Sequence, residues 1–544
     1  MEIIESRPFP DDVTSNDDET SSANTEDALI SARNSSETIN STTNRNNIGC
    51  CVTDEKKITF CGTKRYLISG IILIIIGIVS LIWTPFEVLM NERLKMMPGF
   101  PPYEWWKNPP DEVLLRVYIF NVTNSEEFLS GTDVKLKLQE VGPIIYREKL
   151  THSNISFNEN GTLSYVATRT AIFLPEMNTI NLNETLIMPN LALLGMASYL
   201  YDASLFTKVA FNLMVRSLNS QALVKTTISD YLWNFTDPLL DAAQRILPSL
   251  VPVKNMGILH RIYSNFEDLV TVFVGAEHGH ERFFMIDKYH GSQFVPFYDN
   301  HCQDLIVNST EGVAYAQFLT KNSTLLYWRK TLCKVTPLYY ESESIKFGLN
   351  AYKFELPNNT FDRKYPAYSD CYLGDPPLPS GLSDVSKCYY DFPMAASFPH
   401  FLYGDDILQT YVDGLSPNYE KHHSFVYVEP TTGIPMESRA RSQSNLIMRE
   451  FTGFNSAVQR FSNVVVPMFW AEYNQVGLPW YIYCLMYFTV VVLPTLQKII
   501  SGCCFLTGTL FVALGVKRIK SRRSYVRYNK SLQFEKGNYF SEKL

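Results

Sequence analysis

The run Glu277-His278-Gly279-His280-Glu281 gathers more metal-ligand side chains into five positions than any other stretch of this sequence. On a strand, residues two apart share a face, so both imidazoles would be offered to one ion. A site also needs a third and fourth ligand, and none is identifiable. The run therefore reads as a polar hairpin turn with solvated imidazoles. His422 and His423 lack ligand context, and Asp405-Asp406 reads as loop charge. No H-E-x-x-H, G-x-S-x-G or phosphate-binding glycine loop occurs. Neither catalysis, nor a metal, nor a cofactor is expected.

The cysteines suggest other chemistry. Cys302, Cys333, Cys371 and Cys388 are four thiols in the globular middle of the chain. An even count in an oxidising compartment implies two disulfides, with three pairings open. Cys50, Cys51 and Cys61 precede an apolar run and suit S-acylation. Cys484, Cys503 and Cys504 lie in a second apolar region and read as packing residues. Asn121, Asn154, Asn160, Asn183, Asn234, Asn308, Asn322 and Asn358 each open an N-x-S/T triplet, the acceptor for N-glycosylation. Asn34, Asn40 and Asn529 carry the same triplet in the tails.

The elements that place these residues begin with two apolar stretches. Tyr66–Phe86 is uncharged, and at about 1.5 Å per residue it covers the roughly 30 Å hydrocarbon core. Gly477–Val516 is apolar for longer, interrupted by Pro494, Gln497 and Lys498. Lys56, Lys57, Lys64 and Arg65 precede the first stretch. Lys517, Arg518, Lys520, Arg522, Arg523 and Arg527 follow the second. The positive-inside rule puts both clusters in the cytosol, which requires an even number of crossings. The spans are placed at 66–88 and 495–516. Trp480–Leu493 is then expected at the membrane surface or packed under the domain.

Residues 1–65 read as a disordered acidic cytosolic arm, and 517–544 as a basic cytosolic tail against anionic lipid. Residues 89–494 form a glycosylated outer domain. The net charge of -7 argues against a nucleic-acid partner. Val113–Phe120, Ser164–Thr170, Ile286–Tyr289, Ala314–Leu319 and Ser424–Val428 read as strands. Leu191, Leu194, Ala197 and Ser198, then Phe206, Val209, Ala210, Leu213 and Met214, recur at helical spacing, so 190–246 reads as a helical cluster.

Several motifs, in order along the chain, resemble the class B scavenger receptor family. They are Phe120-Asn-Val-Thr-Asn124, Glu140-Val-Gly-Pro143, Leu232-Trp233 with Asp237-Pro238, Asp384-Val-Ser-Lys-Cys388, Pro399-His-Phe-Leu-Tyr403, Asp413-Gly-Leu-Ser-Pro417 and Glu429-Pro-Thr-Thr-Gly433. The resemblance covers about residues 60–520; the acidic arm lies outside it. It implies an α+β fold: an antiparallel β-barrel-like core with an apical helical bundle, on two transmembrane helices. It also implies the pairs Cys302–Cys371 and Cys333–Cys388. Function follows as an expectation: capture of lipid or lipoprotein cargo at the apex and passage through an ectodomain tunnel toward the bilayer. Lys208, Arg216 and Lys225 are the apical ligand-contact candidates. The cargo would be a fatty acid, a sterol or a carotenoid. The alternative is a phagocytic or sorting receptor for a protein or particle. The plasma membrane is the expected location, ahead of endosomal or lysosomal membrane. Tyr525-Val-Arg-Tyr528 and Glu26-Asp-Ala-Leu29-Ile30 each miss a feature of a sorting signal. A homo-oligomer is left open.

Overall fold

The structure is a computed structural model. It describes residues 54–541 except 111–112, 247, 249–250, 252, 265–266, 297–304 and 363–368. Cys50, Cys51 and Cys302 fall outside the described residues, as does the side chain of Cys61.

One large sheet organises the domain. Its hydrogen-bonded path starts at Ile286–Tyr289 and passes through Glu267–Phe273, Thr162–Phe173, Leu136–Asn158 and Val113–Val122. It continues through Val465–Gln475, Ile434–Ile447, Phe425–Glu429, Leu349–Glu355 and Lys334–Lys346 to Thr324–Arg329. Every pairing along this path is antiparallel. The alternating pattern in Val113–Val122 explains its seat. Leu115, Val117 and Ile119 are fully buried, while Arg116 and Tyr118 are half-buried on the other face.

The expected barrel is an open sheet. Among the described residues its two end strands share no backbone ladder. The short segment 308–310 bridges them instead: Ile286 N–H donates to the Ser309 carbonyl at 2.8 Å and Asn308 N–H to the Ile286 carbonyl at 2.9 Å, while Thr310 N–H donates to the Leu326 carbonyl and Trp328 N–H to the Thr310 carbonyl, both at 2.9 Å. Side chains meet there too, with the Tyr289 and Trp328 rings 5.3 Å apart and Lys330, just past the last strand, paired with Asp268 at 2.8 Å.

The helical cluster forms Leu191–Tyr199, Leu205–Ser217 and Pro238–Ile246, with a two-stranded piece, Thr185–Pro189 and Leu223–Thr227, beside them. Asn190 starts the first helix. Its amide oxygen accepts from the Ala192 and Leu193 N–H groups, and its NH2 donates to Asp237 at 2.8 Å. These helices share one core with Val113–Val122 and Val465–Gln475. Among the described residues they are a layer on the sheet, without a bundle core of their own. Phe206, Val209 and Leu213, expected at helical spacing, are indeed helical but lie exposed; Phe211 and Val215 face inward instead.

Ala314–Leu319, read as a strand, is irregular. Its backbone pairs with the Pro430–Gly433 turn, and Phe318 adopts a positive φ of 56°.

Two helical stretches are long and apolar enough to cross a membrane, Thr63–Ile82 and Trp480–Gln533. The second runs through Pro494 after a π-helical turn at Phe488–Val492. Its first two turns pack beneath the sheet, where Met486 joins Leu349, Ala351 and Met436. Glycines let the two stretches approach. A Cβ on Gly70 would lie 2.8 Å from the Gly508 carbonyl, and one on Gly515 2.7 Å from Leu67. Gln497 donates to the Ser80 carbonyl at 2.7 Å. The contact order is antiparallel, so residues 66 and 516 emerge at one end of the pair. Cys484 and Cys503, expected to be packed, are exposed instead.

Candidate functional site: two cavities in series

The first cavity, of about 690 Å³, lies on the anchor side. Its mouth is walled by Leu89, Met90, Phe100 and Trp105 after the first apolar helix, and by Leu478, Ile482 and Met486 at the start of the second. The second, of about 540 Å³, lies on the helix side, among Leu191, Met196, Phe211, Leu240 and Ile262. Both volumes fall in the range of roughly 300–1,000 Å³ typical of ligand sites. Tyr473 lines both.

One strand runs past both spaces. Ser438 and Ala440 line the anchor-side cavity, and Ser442 and Ser444 the helix-side cavity. Residues two apart share a strand face, so Ser-x-Ala-x-Ser-x-Ser is a smooth floor of small side chains. Sequence reasoning missed it, although small residues at every second position were there to be seen.

Four of the charged groups lining the anchor-side cavity form one cluster, one of them against the shared Tyr473. Arg329 donates to Glu148 at 3.1 Å, and Arg169 lies 3.5 Å from the same carboxylate. Arg169 also pairs with Glu311 at 3.1 Å. The Tyr263 hydroxyl donates to Glu148 at 2.6 Å, and the Arg329 guanidinium lies 3.7 Å over the Tyr473 ring. Burial alone would raise the Glu148 pKa, but Arg329, Arg169 and the Tyr263 hydroxyl outweigh it and hold the carboxyl below its usual value. Burial, with the Glu148 charge beside it, pushes the Tyr263 hydroxyl well up, so it stays a donor.

The resemblance motifs prove to be turns and close contacts. Glu429 accepts from Thr431 N–H, Thr432 N–H and the Thr432 hydroxyl, at 3.1, 2.7 and 2.7 Å. The following Gly433 has φ 69°, and a Cβ there would sit 2.2 Å from the Tyr315 carbonyl. Arg93, just past the first apolar helix, donates to the Thr432 carbonyl at 2.6 Å, tying that segment to the turn. Burial lowers the Arg93 pKa to about 10, opposed by Glu429, so it stays charged. Gly142 leaves room for the Tyr118 ring, 2.6 Å from where a Cβ would stand; that ring stacks on Trp470 at 3.8 Å. His400, Phe401 and Tyr403 all adopt positive φ, a strained segment held by the His400–Glu140 bond at 2.6 Å.

The other expected residues scatter. Lys208 donates to the Thr452 carbonyl at 3.1 Å and lies over Phe454; Arg216 and Lys225 are exposed, on a helix and a strand. His278 ends a short 3-10 turn, Ala276–His278, and His280 follows it two residues on, so the two do not share a strand face. They bind the Asn160 carbonyl and Gln317, and both are half-buried rather than solvated. His422 is buried against His400 at 4.3 Å. Among the described residues no group of three metal-ligating side chains forms. Cys333 is bonded to Cys388. Cys371 is also disulfide-bonded, with its expected partner Cys302 beyond the described residues. Seven of the eight sequon asparagines are exposed; Asn121 is half-buried and accepts from the Ile187 N–H.

The CD36 family model matches residues 68–519. Scavenger receptor class B member 1 of Sus scrofa is 30% identical over 409 residues, 74% of this chain and 78% of that protein. Its Mus musculus counterpart is 29% identical, over 74% and 79%. Lysosome membrane protein 2 of Rattus norvegicus is 26% identical over 394 residues, 71% of this chain and 80% of the relative. With the match running from the first apolar helix through the last, this chain belongs to the CD36 family.

Proposed function

We propose that this chain is a two-pass receptor of the cell surface that takes lipid from a lipoprotein or similar carrier and passes it through both cavities into the bilayer. The observation that carries this reading is the pair of apolar cavities in series, sharing Tyr473, with the mouth of one built by the flanks of both apolar helices. Keeping a lipid out of water on such a path saves about 0.8 kcal/mol per CH₂. Both termini lie in the cytosol in this reading, following the flanking Lys and Arg residues. The domain stands outside, glycosylated at the exposed sequons. Leu205, Phe206, Val209 and Leu213 form an exposed apolar face on the helix layer, and cargo docks there. A receptor that only grips a protein or particle would use the same face but leave the cavities without a role.

Selective lipid uptake by cells expressing the chain tests this. Ala440→Trp and Ser442→Trp obstruct the floor at two points, and uptake should fall at least about tenfold with surface expression kept. Undiminished uptake by both variants at equal surface levels would sink the tunnel route.

A further inference from the structure

The second apolar helix does not stop at the end of its span. Leu493–Ser541 is one helix of 49 residues, so it continues past Lys517. Lys517–Gln533 carries seven Lys and Arg and no Asp or Glu. Its side chains are exposed, apart from half-buried Ile519. The first turn is tied back to the other span, with the Arg518 guanidinium 4.5 Å over the Tyr66 ring. At about 1.5 Å per residue, Arg527 and Lys530 stand roughly 15 and 20 Å beyond Lys517, past the ~8 Å over which charge is felt at physiological salt.

This stretch is a poor helix by itself. Arg523 and Arg527 are like charges at i,i+4, and Arg527 and Lys530 at i,i+3, pairs that repel on a helix surface. Ser521, Ser524, Asn529 and Ser531 are weak helix formers. Yet its residues are sorted. Lys520, Arg523, Arg527 and Lys530 recur at i, i+3, i+7 and i+10 and form one stripe. Tyr525, Tyr528 and Leu532, at i, i+3 and i+7, form a second, and they are 66%, 63% and 37% exposed. At about 100° per residue the two stripes lie on opposite sides.

The sorting selects the occupant. Laid on an anionic leaflet, the helix would bury its rings only by turning these cations away from the headgroups. A second copy of the helix would cover the rings and leave the cationic repulsion in place. A groove that closes round the helix, apolar at its floor and acidic at its rim, satisfies both stripes at once. Resting on the cytosolic placement of the tail in the reading above, we propose that Lys517–Gln533 docks into an acidic, methionine-lined protein groove of the kind that EF-hand sensors open on binding Ca²⁺. Tyr525, Tyr528 and Leu532 enter the groove, and the four cations opposite them meet its rim. Occupancy of the tail then follows cytosolic Ca²⁺.

The test titrates the full chain in phosphatidylcholine nanodiscs with dye-labelled calmodulin, an EF-hand protein with such a groove, read by fluorescence anisotropy. Kd should be no weaker than about 1 µM with Ca²⁺, and at least about a hundredfold weaker in EGTA. Arg523→Glu with Arg527→Glu, and separately Tyr525→Ser with Leu532→Ser, should each weaken binding at least about tenfold. Both pairs lie past the span, so an unchanged melt of the outer domain is the control for folding. Tight binding should persist in nanodiscs that contain phosphatidylserine. Absence of Ca²⁺-dependent binding would overturn the docking. So would a loss confined to the charge pair, which marks plain electrostatic adhesion, or a loss in phosphatidylserine nanodiscs, which gives the helix to the leaflet. Each of these results leaves the lipid-carrier reading standing. A C-terminal tag stained on intact cells would instead overturn the topology of that reading, and the docking with it.

Discussion

The helix-side cavity takes its walls from short helices and a few strand residues, and its charged lining groups are Arg261 and Asp391. The anchor-side cavity takes its walls from the sheet interior and the flanks of both apolar helices. Four buried charges, Glu148, Arg169, Glu311 and Arg329, line part of it. Both are lined mainly by apolar side chains, yet they should fail in different ways. Buried paired charges depend on every partner being present, because removing one strands the other. An apolar wall depends on shape, and shape can relax.

That contrast orders the ways to break it. Arg169→Met takes the shared cation from Glu148 and Glu311, and should cost about 3–5 kcal/mol in a denaturant or thermal melt. If the loss is under about 1 kcal/mol, the cluster is not the tight unit that the distances suggest. Next is Gly195→Leu on the helix side. A Cβ at Gly195 would already stand 2.2 Å from the Phe392 ring, which itself lines that cavity. Overpacking there should cost about 1–3 kcal/mol in the same melt and reduce helix-side volume.

The smallest effect at mildly acid pH, about 1 kcal/mol near pH 6, concerns protonation. His152 lies beside the anchor-side wall, stacked on Trp106 at 4.5 Å with its Nδ1–H donating to the Trp106 carbonyl. Its Nε2 has no partner among the described residues. Burial lowers its pKa to about 4, although the Trp106 bond pulls upward. The folded value lies below the unfolded one, near 6.5, so between those values the unfolded chain binds more protons. Stability is therefore full above about 6.5 and falls on acidification toward 4, by at most about 1.4 kcal/mol per pH unit. His152→Phe should flatten the melting temperature between those values. An unchanged slope would place the acid sensitivity elsewhere.

The sequence reveals the anchors more clearly than the cavities. Tyr66–Phe86 and the basic flanks need only local composition to be read, and Ile286–Tyr289 needs only local alternation. The barrel expectation came from resemblance, and the open ends depend on where Tyr289 meets Trp328, a contact no local pattern encodes. The charge cluster was invisible for the same reason. Glu148, Arg169, Glu311 and Arg329 are spread over 181 residues, and each alone looks like an ordinary surface charge. Lys208, Arg216 and Lys225 stand out by residue type, and type does not reveal that Lys208 is already occupied by a carbonyl. Pro494 marks a boundary in the sequence pattern, but the helix passes through it.

The pairing of the first strand with the last has a consequence in time. Val113 lies opposite Gln475 and Ile119 opposite Phe469, so the central seam of the sheet joins residues at least 350 positions apart. Synthesis proceeds at roughly 5–20 residues per second. The nascent strand Val113–Val122 therefore waits tens of seconds for that neighbour, with the side of Leu115, Val117 and Ile119 lacking its final cover. The domain cannot finish folding before translation is almost over, and a chain truncated before residue 465 should stay bound to chaperones in a pulse-chase. If such a chain is released as fast as the full one, the seam does not set the pace.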